Sequence, residues 1–291
     1  LGDVYKRQVN DRTRFIYEAA CCGLRDFFVK NGYKKACVGV SGGIDSAVVA
    51  CLAVAALGAE NVRGLMMPSQ FSSEGSVEDA KQLAENLGIE FHVVPITEAY
   101  RSIVDTLIPV IGGTDFDATE ENIQSRIRTL MLMALQNKNG YVLLNCSNKS
   151  ENALGICTLY GDTGGAFSVT GDLYKTEMYD LARYINRKFG APIPENILTK
   201  EPSSELRPNQ KDSDMLPSYE VVDAILYRLI EDGQSREEII NAGFDSDEVQ
   251  KIYAMVMRNE KKRFQYPPVL RLSSSSFGHE YRMPLTHKYV K

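Results

Sequence analysis

Residues 36–49 read ACVGVSGGIDSAVV. The first five of them, residues 36–40, form a short apolar run that is typical of a buried strand. A turn of Ser41, Gly42 and Gly43 interrupts this run, and the apolar sequence that resumes over residues 45–57 predicts a helix. A buried strand, a glycine turn and a helix in this order predict the first unit of an α/β fold.

The same alternation continues along the rest of the chain. Three further apolar runs predict strands, at residues 62–67, 91–96 and 141–146. Apolar residues at helical spacing predict helices over residues 14–30, 76–87, 97–107, 120–137, 175–189, 221–240 and 247–259. Because strands and helices alternate with short connections, we predict a doubly wound α/β fold, a mostly parallel sheet with helices on both faces. Residues 191–217 read as an ordered polar loop, and the tail from residue 267 reads as irregular.

The composition is that of an ordinary globular protein. The chain has 291 residues, 44% of them hydrophobic and 24% charged, and a formal net charge of −5. It has no apolar run near the ~20 residues of a membrane span and no signal peptide. The acidic balance weighs against nucleic-acid binding, and six cysteines without a CxxC pair are typical of reduced thiols in the cytoplasm. We expect a cytoplasmic protein that binds neither nucleic acid nor a membrane.

Residues 1–8 show no clear pattern, and we treat them as a possible non-native or processed segment. The remaining residues, 9–291, contain no internal repeat and no low-complexity tract. We therefore assign residues 9–291 to one domain.

The turn at residues 41–46 has the composition of a phosphate-binding loop. Gly42 and Gly43 allow backbone N–H groups to approach an anion, and the helix that follows offers its positive N-terminus. A carboxylate at Asp45 repels phosphate, so its place in such a loop makes sense if it holds Mg²⁺. The patterns GxxxxGK[ST] and GxGxxG are absent from this turn. The alternative interpretation is a tight turn whose serine or aspartate caps the helix.

The helix predicted over residues 120–137 carries an apolar stripe and two arginines. The stripe follows the spacing i, i+4, i+7 and i+11, and its members are Ile123, Ile127, Leu130 and Ala134. Arg126 flanks the stripe and Arg128 points nearly opposite, because two residues turn a helix by about 200°. We therefore predict that Arg126 reaches a partly buried site and that Arg128 does not. Further apolar residues outside the stripe predict a subunit interface, and they are Leu132, Met133 and Leu135.

More polar motifs follow the predicted strands. Glu151 lies in NCSNKSE, directly after the fourth strand, and offers a second carboxylate for a metal. A glycine-rich turn occupies residues 158–165, and Lys175 opens a helix. Residues 259–263 end the last helix with clustered positive charge, which also has the simpler explanation of a favourable interaction with the helix dipole.

Taken together, these motifs resemble those of the NAD synthetases. The matching patterns appear in family order from residue 14 onward, and they are SGGIDS, ENIQSRIR, NxSNKSE, TLYGD, LYKT, EPSSELRPNQKDSDxLPxYE, NExKRFQxPP and FGxxxRMP. The resemblance implies a fold of the ATP-pyrophosphatase type, also called adenine nucleotide alpha hydrolase-like. The later motifs are similar to the glutamine-dependent class, in which an upstream glutaminase domain supplies ammonia. Only about 40 residues precede Ser41, far fewer than a domain needs, so we expect the glutaminase domain to be absent from this chain.

The resemblance also implies an activity and a set of site residues. The expected reaction amidates deamido-NAD to NAD with ATP and ammonia, through an adenylated intermediate, with release of AMP and pyrophosphate. The catalytic residues would be Asp45, Glu151 and Lys175, of which Asp45 and Glu151 would hold Mg²⁺. The residues implied for ATP are Ser41, Gly42, Gly43, Ile44, Asp45, Ser46, Ala47, Val48, Cys146, Lys175 and Ser203. The residues implied for deamido-NAD are Asn122, Arg126, Glu151, Ile156, Cys157, Thr158, Leu159 and Lys262. The family is further expected to form homodimers.

The chain departs from the family pattern at several positions. Cys146 stands where many members have threonine. The ammonia-dependent class has the pattern TKFGDGGAD, and this chain does not have the lysine and the second aspartate of that pattern. Lys261 and Lys262 replace a His-Lys pair of that class. Another amidating or thiolating enzyme of the same fold is the first alternative, although a thiolating role is expected to bring a CxxC pair. A non-catalytic nucleotide-binding module is the second, although such a module has no need of both carboxylates.

Overall fold

A computed structural model describes residues 2–112, 115–208, 210, 214 and 216–288, with side chains from residue 11 onward. Its centre is a parallel sheet of five strands in the order β3-β2-β1-β4-β5. The strands are β1 (Lys35–Gly39), β2 (Val62–Met66), β3 (Glu90–Val93), β4 (Tyr141–Asn145) and β5 (Phe167–Ser168).

Helices connect and cover the strands. The first six are α1 (Gly2–Asn31), α2 (Ile44–Leu57), α3 (Glu74–Leu87), α4 (Thr97–Ile111), α5 (Ala118–Asn139) and α6 (Lys149–Leu154). The others described are α7 (Lys175–Lys188), α8 (Glu195–Thr199), α9 (Tyr219–Ile230), α10 (Arg236–Asn241), α11 (Ser246–Arg258) and α12 (Glu260–Arg263).

The central strand β1 marks the place where the chain changes direction across the sheet. Cys37 pairs with Arg63 of β2 on one side and with Leu143 of β4 on the other. The chain runs outward from β1 to β3 and then crosses back to β4, so the connections after β1 and β4 diverge. In open parallel sheets, a ligand crevice forms at this switch point, outside the carboxyl ends of the strands.

The two faces of the sheet carry separate apolar clusters. Alternate residues of β1 point to opposite faces: Ala36 and Val38 pack with α1, α2, α3 and α7, whereas Cys37 packs with α4 and α5. A third cluster joins α6 to α9, α10 and α11. Helices therefore cover both faces, which confirms the doubly wound fold.

Several boundaries differ from those predicted. The helix α3 begins at Glu74, because the hydroxyl of Ser73, rather than a residue further on, accepts the capping N–H of Ser76 at 3.1 Å. The prediction of one helix over residues 221–240 is wrong. The structure has two helices there, α9 and α10, and the turn between them contains Gly233, whose φ is 64°. The strand β5 was not predicted. The tail from residue 267 is irregular, as predicted, apart from two isolated bridges.

The orientation of α5 also differs from the prediction. Ile123 and Ile127 are buried, but Leu130 is 67% exposed and Ala134 is exposed too. Leu132 is buried instead and packs so tightly on the end of β1 that a Cβ at Gly39 would lie 3.1 Å from its Cδ1 atom. Compared with the predicted orientation, α5 is rotated about its axis toward the crevice. Its polar side chains therefore also point in directions other than those predicted.

Candidate active site

The loop between β1 and α2 is shaped by its two glycines and two serines. Gly42 has φ of 77°, and a Cβ there would lie 2.2 Å from the carbonyl oxygen of Ser76. The Oγ of Ser46 accepts the Ser41 N–H at 3.1 Å and donates to the carbonyl of Gly43 at 3.1 Å. No side chain caps α2, whose N-cap is Gly43. Ile44 and Asp45 of the first turn line the crevice, and the N–H groups of that turn receive no side-chain cap.

A lysine joins two carboxylates directly above this loop. The Nζ of Lys175 lies 2.6 Å from Oδ2 of Asp45 and 3.6 Å from Oε1 of Glu151. These three residues open different helices, α7, α2 and α6, whose N-terminal ends converge at the crevice. The sequence prediction that they lie together is consistent with this geometry.

The electrostatic balance of the cluster keeps the lysine charged. Burial alone would lower the pKa of Lys175, but attraction to Asp45 and Glu151 outweighs it and raises this pKa above its usual value. Two carboxylates beside one ammonium leave a net negative charge. The cluster is therefore suited to a further cation.

Asn148 fixes the relative position of the two carboxylates. Its Nδ2 donates to Oδ1 of Asp45 at 3.0 Å, and its Oδ1 accepts the backbone N–H of Glu151 at 2.9 Å. The Glu151 side chain in turn accepts the N–H of Asn148 at 3.4 Å, which completes a capping box at the start of α6. One asparagine thus ties the loop after β4 to the loop after β1.

A cavity of about 320 Å³ extends from this cluster across the carboxyl ends of β1, β2 and β4. Predicted ATP residues in its lining are Ser41, Gly43, Ile44, Asp45, Ser46, Cys146, Lys175 and Ser203. Glu151 lines it as well, and apolar side chains such as Leu65 and Leu132 form the opposite wall. Gly42 does not line the cavity, and Ala47 and Val48 are fully buried in the core beneath the loop. Those three residues support the loop without lining the cavity.

Cys146 reaches the cavity with a neutral thiol. Burial raises its pKa above the usual range, and the nearby charges of Asp45 and Glu151 act in the same direction. Its Sγ lies 3.9 Å from the carbonyl oxygen of Leu144 and 4.0 Å from that of Gly39. A thiol in this state is a poor nucleophile.

The polar segment 200–206 closes the cavity and is fastened to the start of α3. Glu205 accepts the hydroxyls of Ser73 at 2.7 Å and of Ser76 at 2.8 Å. The Nζ of Lys200 lies 2.9 Å from Oδ2 of Asp79. Ser203 accepts the backbone N–H of Glu205 at 3.1 Å. The prediction of a polar loop covered residues 191–217, and within that range the structure places helix α8 at Glu195–Thr199. Residues 209, 211–213 and 215 of the range lie outside the described residues.

Arg128 is a cavity residue that sequence reasoning missed. Its Nε donates to the carbonyl of Met67 at 3.0 Å, and burial lowers its pKa to about 10. Arg126 is exposed instead, so the prediction that Arg126 and not Arg128 reaches a buried site is wrong. Arg128 lies four residues before Leu132, the residue that packs on the sheet. That spacing is the signal that places it on the inner face.

The residues predicted for deamido-NAD gather beside the cavity, around the turn 155–159. Asn122 accepts the hydroxyl of Thr158 at 2.6 Å, and Nε of Arg126 donates to the carbonyl of Leu159 at 3.2 Å. Lys262 donates to the carbonyls of Gly155 at 2.6 Å and Cys157 at 2.9 Å. Ile156 and Cys157 are half-buried within the same turn. Only Glu151 of the predicted set lines the cavity itself.

One acidic residue joins this second group to the cavity. Asp162 lines the cavity, and its Oδ1 accepts the backbone N–H of Thr158 at 2.6 Å. The surrounding protein raises the pKa of Asp162 to about 6 through desolvation, against the opposing effect of its hydrogen bonds and of Lys262. The two groups of predicted residues are therefore adjacent parts of one region.

The sheet order, the glycine loop and the cavity above it define a nucleotide-binding α/β domain of the ATP-pyrophosphatase type. Residues 16–266 match the family described as NAD synthase, and the chain belongs to that family. It is 52% identical over 276 residues to a glutamine-dependent NAD(+) synthetase of Aquifex aeolicus, covering 95% of this chain and 48% of that protein. The chain thus spans about half the length of such relatives.

Two solved structures extend the comparison. A glutamine-dependent NAD+ synthetase from Acinetobacter baumannii, in complex with ADP, is 41% identical with a TM-score of 0.64. The match covers 94% of this chain and 49% of that one. An NH3-dependent NAD synthetase from Campylobacter jejuni is 30% identical with a TM-score of 0.69, and the match covers 86% of this chain and 95% of that one.

Proposed function

We propose that this chain is the synthetase domain that amidates deamido-NAD to NAD, with ATP as the activating co-substrate and ammonia as the nitrogen donor. The observation that carries the proposal is the cluster of Asp45, Lys175 and Glu151 over the glycine loop, in a domain of the NAD synthase family. The Acinetobacter baumannii relative was solved in complex with ADP, which supports an adenine nucleotide as a ligand of this domain.

ATP would lie along the cavity with its phosphates at the loop. The N-terminal turn of α2, together with Ser41 and Ser46, offers donors to the phosphates, and Lys175 offers a buried positive charge. The apolar wall at Leu65 and Leu132 would take the adenine, and Cys146 and Ser203 would complete this side. Gly42, Gly43, Ile44, Ala47 and Val48 would act by giving the loop and the first helical turn their shape.

Mg²⁺ fits the donor set of this site. It is commonly held by one or two carboxylates together with substrate phosphates, and Asp45 and Glu151 provide such a pair. Within the described ranges, no group of three or more His, Cys, Asp or Glu side chains could hold a metal ion by itself. When bound, Mg²⁺ would neutralise negative charge on the triphosphate.

The proposed reaction has two steps. A carboxylate oxygen of deamido-NAD attacks the α-phosphorus of ATP, the bond to pyrophosphate breaks, and an acyl adenylate forms. Ammonia then attacks the acyl carbon, the bond to the AMP oxygen breaks, and the nitrogen loses a proton to leave the amide. Lys175 stabilises the charge that develops on the departing phosphates, which is the main contribution expected of a preorganised site.

Deamido-NAD would bind over the turn 155–159, beside the cavity. Arg126 and Lys262 are the cations of this region, while Asn122 and Thr158 add polar contacts. The bond to Leu159 engages one of the five donors of the Arg126 guanidinium, so the others are suited to a phosphate or a carboxylate of the dinucleotide. Ile156, Cys157 and Leu159 would supply the apolar part, and Glu151 lies between the two substrates.

We further propose that the full-length protein carries a glutaminase domain upstream and that the chain forms a homodimer in the cytoplasm. About half of each glutamine-dependent relative is not matched by this chain. Leu130 and Met133 are exposed on α5, and exposed apolar side chains of this kind are ones that subunits bury. Leu132 and Leu135, by contrast, pack inward and leave the predicted interface. No described helix is both long and apolar enough to cross a membrane.

Pyrophosphate release and NAD formation test the proposal together. We expect both products from the purified chain only when ATP, deamido-NAD, ammonium and Mg²⁺ are all present. Asp45→Asn and Glu151→Gln should each lower turnover by about two orders of magnitude or more, since the metal contributes several kcal/mol. The matched control is Glu85→Gln on the exposed face of α3, which should remain close to the parent.

The alternatives give different results in the same assay. A non-catalytic module would bind ATP without releasing pyrophosphate under any of these conditions. Another amidating enzyme would release pyrophosphate only with a carboxylate other than that of deamido-NAD. If Asp45→Asn or Glu151→Gln turned over at nearly the rate of the parent, the assignment of that residue to the metal site would be wrong.

A further inference from the structure

Lys149 is a fully buried lysine that the proposed reaction does not use. Its side chain is 0% exposed, and its Nζ lies 2.9 Å from Oδ1 of Asp172, which is buried to the same degree. A second ion pair joins it to Glu231 at the end of α9, whose side chain is 2% exposed. The rings of Tyr174 and Phe277 lie 5.1 and 5.8 Å from Nζ. A charge so far from water depends on every one of its partners.

The irregular tail supplies the remaining partners of this lysine. We call residues 272–276 the serine segment. Nζ of Lys149 donates to Oγ of Ser273 at 2.7 Å and to the carbonyl of Ser275 at 3.0 Å. Ser273 donates its own hydroxyl to Asp172 at 2.9 Å, and its backbone N–H donates to the same carboxylate at 2.7 Å. The hydroxyl of Ser274 bonds to Glu231. The segment thus contacts all three charged groups.

The position of Lys149 connects this cluster to the proposed ATP site. It is the first residue of α6, directly after Asn148, and its backbone N–H donates to the carbonyl of Leu173 at 2.7 Å. Asn148 holds Asp45, and Glu151 lies two residues further along the same short helix. No residue of the serine segment lines the cavity. The first turn of α6, which carries both Lys149 and Glu151, connects the segment to the site.

We propose that the serine segment is a positioning element for ATP and its metal. By holding the side chain of Lys149 in place, it fixes the first turn of α6, so that Asn148 and Glu151 face Asp45 and Lys175. When one of its hydrogen bonds is lost, the buried ammonium is left short of a partner and α6 shifts to satisfy it. Lys149 is a positioning residue in this account, and the inference rests on the proposed amidation.

The test compares Ser273→Ala with Ser273→Thr, which keeps the hydroxyl. We expect Ser273→Ala to raise the KM for ATP and the half-saturating Mg²⁺ concentration about tenfold, the change that corresponds to one hydrogen bond to a charged group. The KM for deamido-NAD should change less than the KM for ATP, because Glu151 is the one proposed deamido-NAD contact in the first turn of α6. Ser273→Thr should restore most of the affinity for ATP.

A core variant separates positioning from a general loss of stability. Phe28 is buried in α1, outside the apolar cluster that packs α6, and Phe28→Leu lowers stability without removing a partner of Lys149. We expect it to lower the active fraction and leave the KM for ATP unchanged. The inference is overturned if Ser273→Ala leaves the KM for ATP and the Mg²⁺ requirement as in the parent, or if Phe28→Leu shifts them equally.

A binding measurement tests the serine segment even if the proposed amidation does not occur. If the parent chain forms no NAD, binding of ATP in the presence of Mg²⁺ is measured directly by calorimetry on the parent and on both Ser273 variants. Weaker binding in Ser273→Ala alone supports the serine segment as a positioning element even then. Equal binding in all three chains overturns it.

Discussion

Arg128 and Arg126 are two residues apart on α5 and lie on opposite sides of a boundary between two proposed substrates. Arg128 lies in the cavity and donates to the carbonyl of Met67, whereas Arg126 is exposed and donates to the carbonyl of Leu159. The two arginines therefore form a matched pair on one helix, which differs in the direction of the side chain and in its surroundings.

Substitution of each arginine should affect a different Michaelis constant. We expect Arg128→Met to raise the KM for ATP, because it removes a buried cation from the cavity that would hold the triphosphate. Arg126→Ala and Lys262→Ala should raise the KM for deamido-NAD more than the KM for ATP. Steady-state kinetics with each substrate varied in turn measures both constants. A rise in the ATP constant alone for Arg126→Ala would reverse the assignment.

Asp223 is a buried carboxyl whose titration should affect stability. Burial raises its pKa to about 6, although the hydroxyl of Ser150 and the backbone N–H of Thr176 donate to it. The unfolded value is about 3.9, so the folded chain binds this proton more tightly than the unfolded chain does. The resulting stabilisation, about 2–3 kcal/mol, is fully present below about pH 4 and is lost as the pH rises through about 6.

The variant Asp223→Asn removes this titration. We expect the parent to be more stable relative to Asp223→Asn at about pH 5 than at about pH 8, because the amide does not ionise. Urea unfolding of both chains at the two pH values measures the difference, and other titrating groups cancel in it. An equal difference at both values would contradict the raised pKa.

Among the elements, the loop between β1 and α2 depends on a glycine that no other residue can replace without strain. Gly42→Ala would place a methyl group against the backbone of Ser76 and force an unfavourable φ. We expect this variant to lose at least about 1–3 kcal/mol of stability and most of its affinity for ATP.

Gly75→Ala is the matched control for the loop variant. It lies one residue before Ser76, a Cβ there would meet nothing within 4 Å, and it sits inside α3. We expect Gly75→Ala to be neutral or stabilising, because alanine favours a helix over glycine. Thermal unfolding and nucleotide titration of both variants check the pair. A Gly42→Ala chain as stable as Gly75→Ala would show that the loop can rearrange.

Elements whose structure follows from their own local sequence pattern were predictable. Elements whose structure depends on contacts with residues far away in the chain were not. The strand, turn and helix at residues 36–57 carry their pattern locally, so their order and the place of Asp45 followed from the sequence. The two residues of β5 form a strand only because Leu144 and Asn145 of β4 pair with them. The rotation of α5 about its axis depends on how Leu132 packs against Gly39, a contact between residues far apart in the chain. This is why Arg128 was missed.

At the scale of the whole molecule, the chemistry of the cysteines bears on the source of nitrogen. Burial raises the pKa of Cys37 and Cys51 to about 12 and that of Cys157 to about 11, and it raises the pKa of Cys21 and Cys146 too. Thiols in this state are not the nucleophiles that hydrolysis of glutamine would need. Cys22, the remaining one, lies within the helix α1.

The chain should therefore make NAD with ammonium and not with glutamine. We expect NAD formation from ATP and deamido-NAD when ammonium chloride is added, and only background formation when glutamine replaces it. The comparison is made on the isolated chain, with an added glutaminase as the positive control for the glutamine reaction. Substantial synthesis from glutamine alone would show that a glutaminase activity resides in these residues.

The contact between Lys149 and the serine segment joins residues 124 positions apart. In the order of synthesis, the glycine loop and α2 precede β4 and α6 by about a hundred residues, and the serine segment comes only after α12. Closing loops of such length is entropically costly and slow compared with forming a local turn. The positioning role proposed for the serine segment therefore implies that a growing chain carries its glycine loop before it carries the residues that hold α6 in place.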